Sequence, residues 1–118
     1  MTESEEQITL FEWATYSSGR YPELKLMHHI PNGGKRDARE AAKFKREGVL
    51  PGVSDIFLPV ARGKFHGLYI EMKAKNGKLS DNQKWWIAET TEQGYKSICC
   101  YGWEEAKDEI VNYLEVEA

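Results

Sequence analysis

The sequence has little that would staple it or anchor it. It holds two cysteines, Cys99 and Cys100, in 118 residues. Adjacent cysteines frame no disulfide scaffold and lack the paired spacing of a zinc site. No apolar run approaches the roughly 18 residues of a membrane span, so no membrane partner is expected. The opening residues, Met-Thr-Glu-Ser-Glu-Glu, are acidic where a secretory signal is basic and then apolar. A reducing cytoplasm fits these absences. Internal repeats, low-complexity segments and interdomain linkers are also missing, and the length suits one domain spanning 1–118. Hydrophobic residues make up 41%, which argues against a disordered chain.

Charge is unevenly placed. The net charge of -3 alone argues weakly against a nucleic-acid partner. Residues 24–85, however, carry 13 Lys/Arg against 6 Asp/Glu, while the segments before and after are acidic. A basic middle between acidic ends suits a polyanion held against one face. Ordinary solvated charge is the competing explanation.

The pattern predicts helices over 5–17, 36–47, from Ser80 to Gly94, and over 103–114, with Ser4/Gln7 and Ser80/Gln83 as capping boxes. Strands are expected at Leu24–Ile30, in two central runs, and at Tyr95–Tyr101. Pro31-Asn-Gly-Gly34 reads as a turn. The central runs are Asp55–Val60 and Gly67–Lys73. Leu68, Ile70 and Met72 alternate with Tyr69, Glu71 and Lys73, so the two sets face opposite ways. A hairpin folded about Gly63 would set Asp55 opposite Glu71. The expected fold is α/β, a mixed sheet with helices on its faces.

Two carboxylates and a lysine at one spot suit phosphodiester hydrolysis. Hard Mg²⁺ prefers a few carboxylate oxygens plus waters. Asp55 and Glu71 could hold it, with the backbone carbonyl of Met72 within reach. Lys73 could orient or deprotonate the attacking water and steady the developing charge. Glu6 is the best third carboxylate, with Glu5 and Glu12 as competitors. An isolated Glu-x-Lys is more commonly a solvated charge pair, and Gln83 has an equally good use as the capping partner of Ser80.

In order along the chain come Gly48-Val-Leu-Pro-Gly-Val-Ser-Asp55-Ile-Phe-Leu, Gly67-Leu-Tyr-Ile-Glu71-Met-Lys73 and Gly77-Lys-Leu-Ser80-Asp-Asn-Gln83. With Ile30–Gly34 and Glu6-Gln7 upstream, and Gly94-Tyr95 and Trp103-Glu-Glu-Ala downstream, this series resembles the VRR-NUC branch of the PD-(D/E)XK nucleases over nearly the whole chain. The resemblance implies a restriction-endonuclease-like fold. It implies Asp55 and Glu71 as metal ligands, Lys73 as catalytic lysine, Glu6 as the helix glutamate and Gln83 as the glutamine near the site. Ser54 departs from the proline often found before the aspartate. The small size resembles stand-alone phage and bacterial members. That implies a homodimeric, Mg²⁺- or Mn²⁺-dependent, structure-specific DNA endonuclease, some members acting on four-way (Holliday) junctions in DNA recombination and repair. Cutting at flaps, ends or single strands is an alternative, as is a non-catalytic DNA-binding module.

Lys35, Arg36, Arg39 and Lys43, on or beside a basic helix that also carries Lys45 and Arg46, are expected phosphate contacts, as are Lys75 and Lys78 in the loop after Lys73. His28 and His29 are assigned to packing or surface, Trp85 and Trp86 to core or dimer contacts, and the cysteines to strand packing.

Overall fold

Period-two alternation in residues 68–73 builds the middle of a sheet. The structure, a computed structural model, describes residues 1–31 and 37–117. The helices are α1 (Glu3–Ser17), α2 (Ala38–Arg46), α3 (Asp81–Glu92) and α4 (Trp103–Glu115). The strands are β1 (His28–His29), β2 (Ile56–Leu58), β3 (Leu68–Lys73) and β4 (Lys96–Tyr101). Together they form one sheet in the order β1-β2-β3-β4. The first two pairings are antiparallel, and β3–β4 is parallel across the α3 crossover. This is the expected mixed α/β architecture. Among the described residues, no helix is long and apolar enough to cross a membrane.

One face of the sheet builds the core. Leu68, Ile70 and Met72 are buried there with Ile56, Leu58 and Cys100. Leu10 and Ala14 of α1 and Ala106, Ile110, Tyr113 and Leu114 of α4 close over them. The spacing of the α4 residues is the apolar stripe expected of an amphipathic helix. The opposite face carries Tyr69, Glu71 and Lys73, with α3 lying toward β4.

Several boundaries differ from the sequence expectation. Helix α1 starts at Glu3, because Thr2 and Glu5 form its capping box and Ser4/Gln7 do not. Leu24–Ile30 is not one strand. Pro22, pre-set for a helical turn, starts a 3₁₀ segment to Leu26, and only His28–His29 pair as strand. Leu24 and Met27 instead plug the core beside α1. Helix α2 starts at Ala38 behind Asp37, whose side chain accepts the Glu40 N–H at 2.8 Å. Asn32, Gly33, Gly34, Lys35 and Arg36 lie outside the described residues. The Ser80/Gln83 capping box is present as expected.

Candidate active site

Register brings the acids together. Ile56 pairs with Ile70 and Leu58 with Leu68, symmetric about residue 63. Asp55 therefore falls beside Glu71. It is fixed from both sides. Its backbone carbonyl accepts the Ile30 N–H at 2.7 Å and lies 2.8 Å from His29 Nδ1. Its Oδ2 accepts the Met72 N–H at 2.9 Å. In a strand the N–H and C=O of one residue point the same way, so the Met72 carbonyl also lies toward Asp55.

Glu71 is 2% exposed and Lys73 8%. Lys73 Nζ lies 3.7 Å from Glu71 Oε2. The same oxygen accepts from Gln83 Nε2 at 3.1 Å. Gln83 caps α3 and reaches Glu71 with the same side chain. Its Oε1 accepts the Ser80 N–H at 2.8 Å, which turns its amide nitrogen toward Glu71. Glu71 Oε1 is buried and has no donor. Burial raises the Glu71 pKa from 4.5 to about 8. The Asp55 charge, and the hydrogen bond a protonated Glu71 makes to that carboxylate, push the same way. Lys73 opposes the shift, and the charge of Glu3 adds to it. Two carboxylates thus share one buried spot with one ammonium.

This donor set fits a hard divalent cation. Mg²⁺ takes one or two carboxylates plus substrate and water oxygens in preference to an all-protein cage. Consistent with that, no three His, Cys, Asp or Glu side chains converge as a preformed cage among the described residues. Such an ion would satisfy the orphaned Glu71 oxygen and the adjoining Asp55, and would favour the ionised form of Glu71 that burial resists.

Glu6 lies beside Gly102, whose N–H donates to the Lys73 carbonyl at 3.1 Å. Its Oε1 accepts the Trp103 N–H at 3.1 Å. It thereby caps α4, whose own N-cap residue is Gly102 and offers no side chain. Glu3, one turn earlier on α1, is the helix acid whose charge bears on Glu71. Lys75 and Lys78 are exposed on the turn that follows Lys73. That turn closes through Gly77 N–H to Ala74 O at 2.9 Å, and a Cβ on Gly77 would touch the Lys73 stem at 3.3 Å. Arg39 and Lys43 are exposed on α2, a helix with no buried residue. Lys35 and Arg36 lie outside the described residues.

Three neighbours escaped the sequence reading. Cys99 is the register partner of Glu71, and Tyr101, 48% exposed, that of Lys73. The parity of β4 would have placed both, given the β3–β4 register. Gly52, at φ +97°, packs so tightly on α3 that a Cβ would lie 2.3 Å from Asn82 O. The loop entering Asp55 and the helix turn carrying Gln83 are thus in contact. Only its Pro-Gly dipeptide hinted at this.

No curated protein matches the chain. A solved chain described as a VRR_NUC domain protein is similar in structure, with a TM-score of 0.83 and 31% identity. The similarity covers 99% of this chain and 91% of that one. The VRR-NUC domain family model matches residues 1–104. The chain therefore belongs to the VRR-NUC family of nuclease-type, DNA-processing domains.

Proposed function

We propose that residues 1–118 act as one nuclease domain, a divalent-metal-dependent endonuclease that cuts structured DNA. The observation that carries this reading is the buried Glu71 carboxylate, with Oε1 unpartnered and Asp55 beside it. Burying an acid against a second acid, with one oxygen unpartnered, costs stability that a bound cation would offset.

Asp55, Glu71 and the Met72 carbonyl would hold Mg²⁺ or Mn²⁺, with Glu6 as the candidate fourth donor. Such a cation supplies Lewis acidity, which makes water nucleophilic near neutral pH and offsets charge building on phosphate. The chain's own groups do the rest. Lys73 Nζ, held near Glu71, orients water and donates to the phosphate oxygens as charge grows. Gln83 fixes the Glu71 carboxylate in one rotamer. Exposed Arg39, Lys43, Lys75 and Lys78 contact backbone phosphates, with Lys35 and Arg36 as further contacts. By family resemblance the acting species is a homodimer in a cytoplasm and the substrate a four-way junction. Flaps, ends and single strands are the alternatives.

The test uses labelled four-way junctions, flaps, duplex and single strands with Mg²⁺, Mn²⁺ or EDTA. Wild type should cut only with metal. Lys73→Ala and Asp55→Asn should bind DNA and fail to cut, each losing roughly 10²-fold or more in rate. If wild type binds DNA and cuts none of these substrates with metal, the catalytic reading is wrong. If the variants cut as well as wild type, the site is elsewhere.

A further inference from the structure

The face that carries the acids continues beyond them. Asp55, Glu71 and Cys99 form one row across the sheet. Two residues along the strands, the next row on that face is His28, Phe57 and Tyr69. Two strand residues span about 6.7 Å, close to the reach of one extended nucleotide.

The rings of this row are in contact. Phe57 stacks on Tyr69 with centroids 4.3 Å apart and planes 20° apart. His28 meets Phe57 edge-on at 5.9 Å, and Tyr95 lies against Tyr69 at 5.4 Å. His66 meets Tyr95 at 5.8 Å. Glycines leave them room. A Cβ on Gly67 would lie 3.0 Å from the Phe57 ring, and one on Gly94 2.7 Å from the His66 ring. Phe57, Tyr69 and Tyr95 are half-buried, while His28 and His66 are exposed.

A second small core under a helix is the ordinary use of such rings. Here the helix covers only one side. Trp86 of α3 meets Tyr69 edge-on at 5.4 Å, and α3 packs mainly toward β4. The principal helix-on-strand contacts among the described residues fall on β3 and β4. The rings on the β1 and β2 side stay partly open, on the same face as the catalytic acids.

We propose that this aromatic row is a stacking platform for unpaired nucleobases next to the scissile phosphate. It rests on the nuclease reading and, among the substrates named there, selects DNA with a single-stranded segment at the cut, a flap, fork or overhang, over an intact four-way junction. Continuity with the acids selects this occupant. A strand whose phosphate reaches Glu71 can continue across the adjoining row, and aromatic faces accept any base. A fully paired duplex keeps its bases stacked inside and offers none to these rings.

The full chain is tested in EDTA, so that binding is read without cleavage. The probes are a single strand, a flap, a blunt duplex and an intact four-way junction, each carrying 2-aminopurine near the expected cut. The variants are Phe57→Leu, Tyr69→Leu and His28→Ala. The last removes an exposed ring and guards against a folding failure in the first two. Binding should quench 2-aminopurine in the single strand and the flap. Each variant should weaken those two probes by roughly 5-fold while blunt-duplex affinity changes by less than about 2-fold. Equal losses on blunt duplex and flap, or no loss on either, overturn the platform. So does a change from dimer to monomer in sedimentation with single-strand affinity intact, since the face would then join two copies. Failure of wild type to cut any probe with metal rejects the nuclease reading alone, because the EDTA titrations still decide the platform.

Discussion

Replacing Glu71 by glutamine should stabilise the metal-free protein, by an amount that grows with pH. The side chain keeps its shape and loses its charge. In the folded protein the Glu71 pKa is raised from 4.5 to about 8. Between those values the folded state holds a proton that the unfolded chain has released. A raised folded pKa contributes stability that is fully present below about pH 4.5 and lost as pH climbs toward 8. Each unit is worth about 1.4 kcal/mol, so the total is on the order of 5 kcal/mol. That is a large part of the 5–15 kcal/mol of a typical domain. Glutamine does not titrate, so Glu71→Gln should lack this decline. Urea unfolding of both proteins in EDTA, at about pH 5, 6, 7 and 8, measures it. The two should be close at the acid end and separate by several kcal/mol at the alkaline end. Excess Mg²⁺ should raise the wild-type midpoint most at high pH and leave the variant nearly unmoved. Parallel curves over the whole range, with no widening gap, would refute the idea that Glu71 is buried against its own charge.

Further outcomes follow from the same geometry. Gln83→Glu keeps an acceptor at the N3 position of α3, so the helix should stay capped, yet it places a like charge on Glu71; thermal unfolding below about pH 5 should be nearly unchanged while nuclease activity is lost. Gly52→Ala forces a Cβ against the Asn82 backbone at positive φ, and should cost about 2 kcal/mol or more in chemical denaturation as well as activity. Lys75→Ala and Lys78→Ala should weaken duplex binding independently of sequence, each lowering the slope of log affinity against log salt by about 0.9 if it neutralises one phosphate. An unchanged salt slope would remove them from the DNA contact surface.

Much of this geometry was legible in the residues. Strand β3 alternates so regularly that its two faces could be read directly, and a turn centred on Gly63 set Asp55 against Glu71. Those signals are local: period, turn residues and pairing symmetry. What could not be read depends on contacts distant in sequence. Cys99 and Tyr101 join the site face only because β4 pairs with β3 in parallel at one register, which a crossover helix sets and no short pattern encodes. Glu6 illustrates the same limit. Helical spacing put it on α1, but its bond to the Trp103 N–H spans nearly the whole chain. Leu24–Ile30 looked like a strand because it is apolar. Pro22 had already committed its first half to a 3₁₀ turn, and burial of Leu24 and Met27 gave those side chains a core role without a ladder.

The hairpin has one more consequence. Asp55, Glu71, Lys73 and Gln83 all fall within residues 55–83, at the entry to β2, on β3 and in the first turn of the helix that follows. Most enzyme sites collect their groups from scattered parts of the chain, so a cut or a shuffle anywhere separates them. Here one contiguous stretch carries the acids, the lysine and the amide, while α1 and α4 supply the other side of the core. Such a stretch behaves as a cassette. Moved into another chain by recombination, it would carry these four groups together, provided the recipient presents an apolar surface for Leu68, Ile70 and Met72 and an acid where Glu6 stands on α1.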